Sequence, residues 1–160
     1  MWDKRSIALT ALLASLYASA VVLLAPISFE IFQVRVADIL MPTSIILGPP
    51  AILGLTIGTF IANFASPFGM VDVVGGATAN FIASFTAWRI GAKRFRGSWI
   101  IAILVENLIV TFIVGTYLAL LLTIPLVVGW LGVFLGSILS MNVGGYLLVK
   151  GVSARLGRRS

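Results

Sequence analysis

The sequence contains no cysteine and no histidine among its 160 residues. The first absence excludes disulfide frameworks, thiolate metal sites and cysteine nucleophiles. The second removes the commonest general base and metal ligand. No G-x-x-x-x-G-K-[ST] loop occurs either, so the chain carries no P-loop for ATP. Charge is scarce: 10% of residues are Asp, Glu, Lys or Arg, against about 25% in a soluble domain. A chain so poor in polar side chains cannot cover itself toward water.

What is present is apolar. Hydrophobic residues make up 60% of the chain, and the mean hydropathy is +1.13. The expected class is an all-α integral membrane protein, one bundle over residues 1–160. The net charge of +6 does not point to nucleic acid. Lys4 and Arg5 lie at the start, Lys93, Arg94 and Arg96 in one loop, and Lys150, Arg155, Arg158 and Arg159 in the tail. Positively charged residues mark the cytoplasmic side of membrane proteins. Asp3-Lys4-Arg5 before an apolar run is signal-like. The run continues to Leu24, which is long for a signal core and right for a spanning helix. An uncleaved first helix is expected.

Apolar runs separated by breakers place spans near 6–25, 37–47, 51–65, 72–90, 99–122 and 126–149. Gly48-Pro49-Pro50 divides the second from the third. As an α-helix the second would rise only ~16 Å, less than a ~30 Å hydrocarbon core. Merging the two would give five crossings and put the Lys93–Arg96 loop opposite Lys4 and Arg5. Six crossings gather the basic groups on one side and leave Arg35 as the one basic residue outside. Both termini are then expected in the cytoplasm.

Polar residues interrupt these spans, and they are costly there. With six crossings, Arg35, Asp38, Asn63, Asp72 and Asn80 fall in the outer half. Asn80 lies roughly 12 Å deeper than Asp72. Glu106 and Asn107 fall near mid-membrane, as a floor beneath them. Each has a plainer role beside ligand binding. Asp72 suits a helix cap, and Arg35 and Asp38 suit a local ion pair. Asn63, Asn80 and Asn142 suit inter-helix hydrogen bonds. Glu106 is hardest to explain away, its plainer roles being a pair with Arg89 or a hydrogen bond from a protonated carboxyl. Phe68, Tyr117 and Trp130 suit the headgroup depth. Phe29 and Phe32, in the first loop, suit a cover over a flat ligand. A carboxylate accepts two adjacent N–H donors and an Asn offers one group of each kind. The set therefore suits a planar, hydrogen-bonding heterocycle, held in a cup reached from outside.

The first helix carries Ala11, Ala14, Ser15 and Ala18, with small residues spaced four apart. Such spacing lets another helix approach closely, within the bundle or from a partner.

Together, IALTALLASLYASAVVL, QVRVADIL, LGPPAILGLTIGTFIANF and DVVGGATANFIAS form a pattern that resembles a known family. It resembles the substrate-binding membrane subunits (S-components) of energy-coupling factor (ECF) transporters, and is most similar to the QueT-type branch. The resemblance implies six helices, an outer pocket lidded by the first loop, and a queuosine-precursor-like, deazaguanine-type substrate. It implies docking of Ala11, Ala14, Ser15 and Ala18 on a transmembrane coupling subunit joined to two ATPase subunits. The chain departs from that branch at Asp38, where a glutamate is more usual. The expected function is substrate binding at the cell membrane in a multi-pass protein, with no cofactor, no metal and no enzyme activity of its own. The alternatives are an S-component for a different vitamin, a stand-alone ion-coupled carrier, or a membrane enzyme or assembly factor.

Overall fold

A computed structural model of the chain describes residues 3–28 and 35–155. Every element among them is helical. Helix α1 spans Lys4–Leu23, and a single turn, α2, follows at Ala25–Ser28. A 3-10 segment, Val36–Thr43, runs into α3 at Ser44–Leu47. Helix α4 covers Pro49–Ala62 and ends in a 3-10 turn at Asn63–Ala65. Helices α5 and α6 are Gly69–Gly91 and Ser98–Leu121. The last helix opens as α7 at Leu126–Ser137, widens to a π-helix at Ile138–Gly145, and closes as α8 at Tyr146–Arg155.

Four of these helices are long and apolar enough to cross a membrane: Lys4–Leu23, Gly69–Gly91, Ser98–Leu121 and Leu126–Arg155. Val36–Leu47 and Pro49–Ala65 are shorter apolar segments. Large apolar side chains point outward along the bundle, among them Leu12, Leu16, Phe64, Ile100, Leu120 and Leu139. Water would penalise such a surface, whereas lipid solvates it.

Local chemistry sets the ends of several elements. Asp3 caps α1 by accepting the Ser6 N–H at 2.8 Å. The hydrogen bonds from Ser6 hold the Asp3 carboxyl below its ordinary pKa. Gly48 adopts φ +66, a left-handed conformation that L side chains rarely take, and so separates α3 from α4. Pro49 and Pro50 then occupy the first turn of α4, where the missing N–H costs nothing. The second segment is longer than α geometry allows. Pro42 has no N–H for an α bond, and its ring opposes the carbonyl four residues back. The chain tightens to 3-10 form, with Thr43 Oγ1 donating to the Leu40 carbonyl at 2.6 Å. At the larger 3-10 rise, Val36–Leu47 extends roughly 22 Å, and Pro49–Ala65 roughly 27 Å. The ~16 Å expected for the second segment is thereby corrected.

Contacts between named residues give each segment's direction. Thr10 Oγ1 donates to the Pro50 carbonyl at 3.1 Å. Gly54 lies against Thr10 and Leu13, and Gly58 against Ala14 and Tyr17, so α1 and α4 are parallel. Asn63 and Thr59 meet Asp72 and Asn80, so α4 and α5 are antiparallel. Asp72 meets Tyr117, reversing α6. Gly115 meets Gly129, reversing the last helix. Arg35 meets Asp72, Met41 meets Ser84 and Ile45 meets Gly91, so 35–47 runs parallel to α5. One end of the bundle therefore gathers Lys4, Gly48, the Lys93–Arg96 loop and Arg155. The other gathers Leu23, Arg35, the 65–69 turn and Thr123.

Small residues make this closeness possible. A Cβ on Gly58 would stand 2.8 Å from the Ala14 carbonyl oxygen and 3.0 Å from Tyr17 Cβ. A Cβ on Gly151 would meet nothing within 4 Å. Gly58→Ala is expected to cost about 1–3 kcal/mol by overpacking. Gly151→Ala is expected to stabilise by about 0.5–1 kcal/mol through helix propensity. Thermal unfolding in detergent checks the opposite signs.

Candidate functional site

The buried polar side chains lie in three connected groups. The first centres on Tyr17, deep on the inward face of α1. Its hydroxyl donates to Asp38 Oδ1 at 2.6 Å and accepts from Asn80 Nδ2 at 3.1 Å. Asn80 Nδ2 also donates to Thr59 Oγ1 at 2.6 Å, and Thr59 in turn donates to the Leu55 carbonyl. One hydroxyl thus joins α1, the 3-10 segment and α5, and the Asn80 amide extends the link to α4.

The second group centres on Asp72, in the first turn of α5. Arg35 Nη2 approaches Asp72 Oδ2 at 3.3 Å, while Tyr117 on α6 donates to Oδ1. Asn63 Nδ2 donates to the Asp72 carbonyl at 2.7 Å, and Arg35 Nε reaches the Ser28 carbonyl at 3.4 Å. The third group ties α6 to the π-helix. Asn107 Nδ2 donates to Asn142 Oδ1 at 2.6 Å, and Thr111 Oγ1 donates to Asn107 Oδ1 at 3.1 Å.

Glu106 stands apart from all three. Its residue is fully buried, and neither carboxylate oxygen has a hydrogen-bond partner. Ser84 and Asp38 are its polar neighbours, and the Ser84 hydroxyl also lies 3.7 Å from Met41 Sδ. Arg89 does not serve Glu106: it is exposed and lies over the Phe85 ring at 6.0 Å. A carboxyl in an apolar interior carries a desolvation cost, and only the nearby Ser84 hydroxyl stands to offset part of it. Two acceptors without donors fit a ligand that brings N–H groups.

Over residues 7–154 the chain matches the family model described as QueT transporter. The chain belongs to the QueT transporter family. It is accordingly a membrane protein with a transport role and a small-molecule cargo. No curated protein and no solved structure gives a significant match.

In this QueT family member, Arg35, Asp38, Asn63, Asp72, Asn80, Glu106 and Asn107 are all 4% exposed or less. The expectation of a cup open to one side does not describe this state. The side chains meant to line the cup fill it, six of the seven by bonding to neighbours. Asp38 pairs with Tyr17, not with Arg35, which turns to Asp72. Asn142 forms the inter-helix bond expected of it. Phe29 and Phe32 lie outside the described residues. On α1, Ala14 is buried against Gly58 and Ala18 is half-buried, while Ala11 and Ser15 are exposed. Residue patterns alone missed Tyr17 and Thr59, and assigned Tyr117 to the headgroup level. The available signal was a hydroxyl in an apolar run, since a buried Tyr needs a partner for its O–H.

Three variants probe these buried groups. Asp72→Asn removes the buried carboxylate that Arg35 and Tyr117 both reach and is expected to cost about 3–5 kcal/mol, while Tyr117→Phe costs about 0.5–3 kcal/mol. Glu106→Leu removes an unoffset polar group at similar volume, and is expected to stabilise the ligand-free protein by about 1–3 kcal/mol. Thermal midpoints in detergent distinguish the two directions.

Proposed function

We propose that this chain is the substrate-binding subunit of an ECF-type importer, taking up a queuosine-precursor-like base of the deazaguanine type from outside the cell. The observation that carries this reading is the pair of unpartnered Glu106 oxygens in a family of transporters. Adjacent N–H donors on one edge of such a base match a carboxylate with two free acceptors. Asn107 flanks that contact. Asn80, Asp72, Asn63, Asp38 and Arg35 exchange some of their mutual bonds for ligand donors or a cationic amine when the site fills. Phe29 and Phe32 close over the ring.

The topology in this reading has six crossings. The end bearing Lys4, Arg5, Lys93, Arg94, Arg96, Lys150 and Arg155 faces the cytoplasm, as the positive-inside rule requires. The alternating directions of the segments support it, and so does the added length of the 3-10 stretch. The chain hydrolyses no ATP itself. Two ATPase subunits supply that step through a transmembrane coupling subunit, which docks on the exposed small residues of α1. Ala11 and Ser15 are available for this contact, with Ala18 at its margin, whereas Ala14 serves the bundle interior.

Binding to purified protein tests the site. Glu106→Gln keeps the volume and replaces one acceptor with a donor. Loss of a hydrogen bond worth about 0.5–1.5 kcal/mol should weaken binding of the base by about 2- to 10-fold. Unchanged affinity would remove Glu106 from the site. A panel of vitamins run beside deazaguanine bases tests the substrate class, and tight binding of another vitamin alone would reassign it. Uptake by vesicles holding only this chain would favour an ion-coupled carrier. The native chain lacks cysteine, so Ala65→Cys and Lys93→Cys each supply a single thiol at opposite ends of the bundle. An impermeant thiol reagent applied outside intact cells should label the first and spare the second.

A further inference from the structure

Helix α6 begins without a side-chain cap. Gly97 stands at the cap position with φ +82 and brings no acceptor to the N–H groups of the first turn. The Ser98 N–H finds the Phe95 carbonyl at 2.9 Å, and the Ile101 N–H finds that of Gly97 at 3.1 Å. Those of Trp99 and Ile100, between them, meet no backbone acceptor among the described residues. Free N–H groups at the start of a long helix carry partial positive charge and attract anions. Asp3 answers this need on α1, at the same end of the bundle. On α6 no side chain does.

A cavity of about 310 Å³ opens beside this turn, lined by Arg96, Gly97, Ser98, Trp99, Ile100 and Tyr146. Ser98 is 2% exposed, yet its hydroxyl makes no hydrogen bond among the described residues. Trp99 is 6% exposed, and its indole N–H is likewise without an acceptor there. Buried donors are ordinarily paired, so both suit a ligand that supplies acceptors. A second cavity of about 300 Å³ shares Trp99 and carries Arg94 and Trp88. No acidic side chain lines either cavity. Donors and positive charge converge here with no carboxylate among them.

The surroundings indicate where the anion comes from. Ile100 is 58% exposed on the apolar surface of the bundle, at the rim of the cavity. Tryptophan and tyrosine rings favour the depth of lipid headgroups. A ligand held here has its charge inside the cavity and an apolar part outside, along the face that Ile100 presents. Basic pockets between membrane helices hold anionic headgroups in this way.

We propose that the cavity at the start of α6 binds the headgroup of an anionic phospholipid from the adjoining leaflet. The phosphate accepts from the Trp99 and Ile100 backbone N–H groups and from the Ser98 hydroxyl. Arg96 supplies the counter-charge, and the acyl chains lie along Ile100. Tyr146 on α8 closes the opposite side, so one lipid bridges α6 and the last helix. The inference uses neither Glu106 nor the transported substrate, and it stands without them.

Native mass spectrometry of the purified full chain, titrated with phosphatidylglycerol in detergent, reads this site. One phosphatidylglycerol should be held about tenfold more tightly than phosphatidylcholine. Arg96→Gln with Ser98→Ala should weaken its binding by about tenfold. Lys150→Gln with Arg155→Gln removes two charges from the same end and should leave binding unchanged. Equal weakening in the two pairs overturns the proposal, because any basic surface near a membrane attracts anionic lipid. Ser98→Asp is the second probe. It places a carboxylate at the helix start, where negative charge is favourable. Its thermal midpoint without lipid should rise, and it should no longer retain phosphatidylglycerol. Retention as tight as that of the native chain overturns the proposal. Inorganic phosphate separates the two sources of the anion. It should leave the midpoint of the lipid-free native chain unchanged, whereas phosphatidylglycerol raises it. A rise with inorganic phosphate and none with phosphatidylglycerol overturns the lipid reading in favour of a soluble phosphate.

Discussion

A charged side chain withdrawn from water among apolar helices must find its partners inside the protein. Asp72 is where this constraint shapes the bundle most. Its carboxylate receives Arg35 and Tyr117, and its backbone carbonyl receives Asn63. One residue therefore gathers the start of the 3-10 segment, α4, α5 and α6 at a single end. Tyr17 does the same at the next level inward, with Asp38 and Asn80 as its partners. The pairing fixes registry as well as proximity, because a one-residue slip of α5 would separate Asp72 and Asn80 from their partners together. Against this background the unpaired Glu106 stands out. Asn63 Oδ1 and the Ser28 and Ser44 hydroxyls also lack partners, but Glu106 is the one buried carboxyl among them.

Close helix approach supports these bonds. Gly54 and Gly58 let α4 lie against α1, and Ala79, Ala83 and Ala87 keep the buried side of α5 slim. In lipid, packing and hydrogen bonds drive helix association, since no hydrophobic gain separates a helix face from acyl chains. The same small residues have a different consequence at Gly144 and Gly145. There they let Ile39 and Pro42 rest directly on the π segment.

Much of the architecture was legible in the residues. Hydropathy and breakers located the apolar runs, and Gly48-Pro49-Pro50 marked the division that Gly48 makes at φ +66. The resemblance carried by QVRVADIL and DVVGGATANFIAS agrees with the family match. Glu106 was singled out by its depth alone. What could not be read was the pairing. Asp38 and Arg35 are near neighbours in the chain, and pairing them with each other was natural. The Asp38 N–H even bonds the Arg35 carbonyl at 3.0 Å, yet each side chain reaches a partner on another helix. Tyr17 was hidden in an alanine-rich run, because nothing local signals that its hydroxyl meets Asn80, 63 residues away.

The amino-acid sequence by itself determined the solvent, the apolar segments, the end that carries the positive charge and the family. These properties follow from transfer free energies that add residue by residue and from local backbone limits at Gly and Pro. Tertiary structure alone decided that α1 and α4 lie against each other, that most of the polar residues close on one another, and that Glu106 is left over. It also set the π winding at Ile138–Gly145, against which Pro42 packs. These outcomes depend on distances between groups far apart in the chain, and a hydrogen bond is won or lost within a fraction of an ångström.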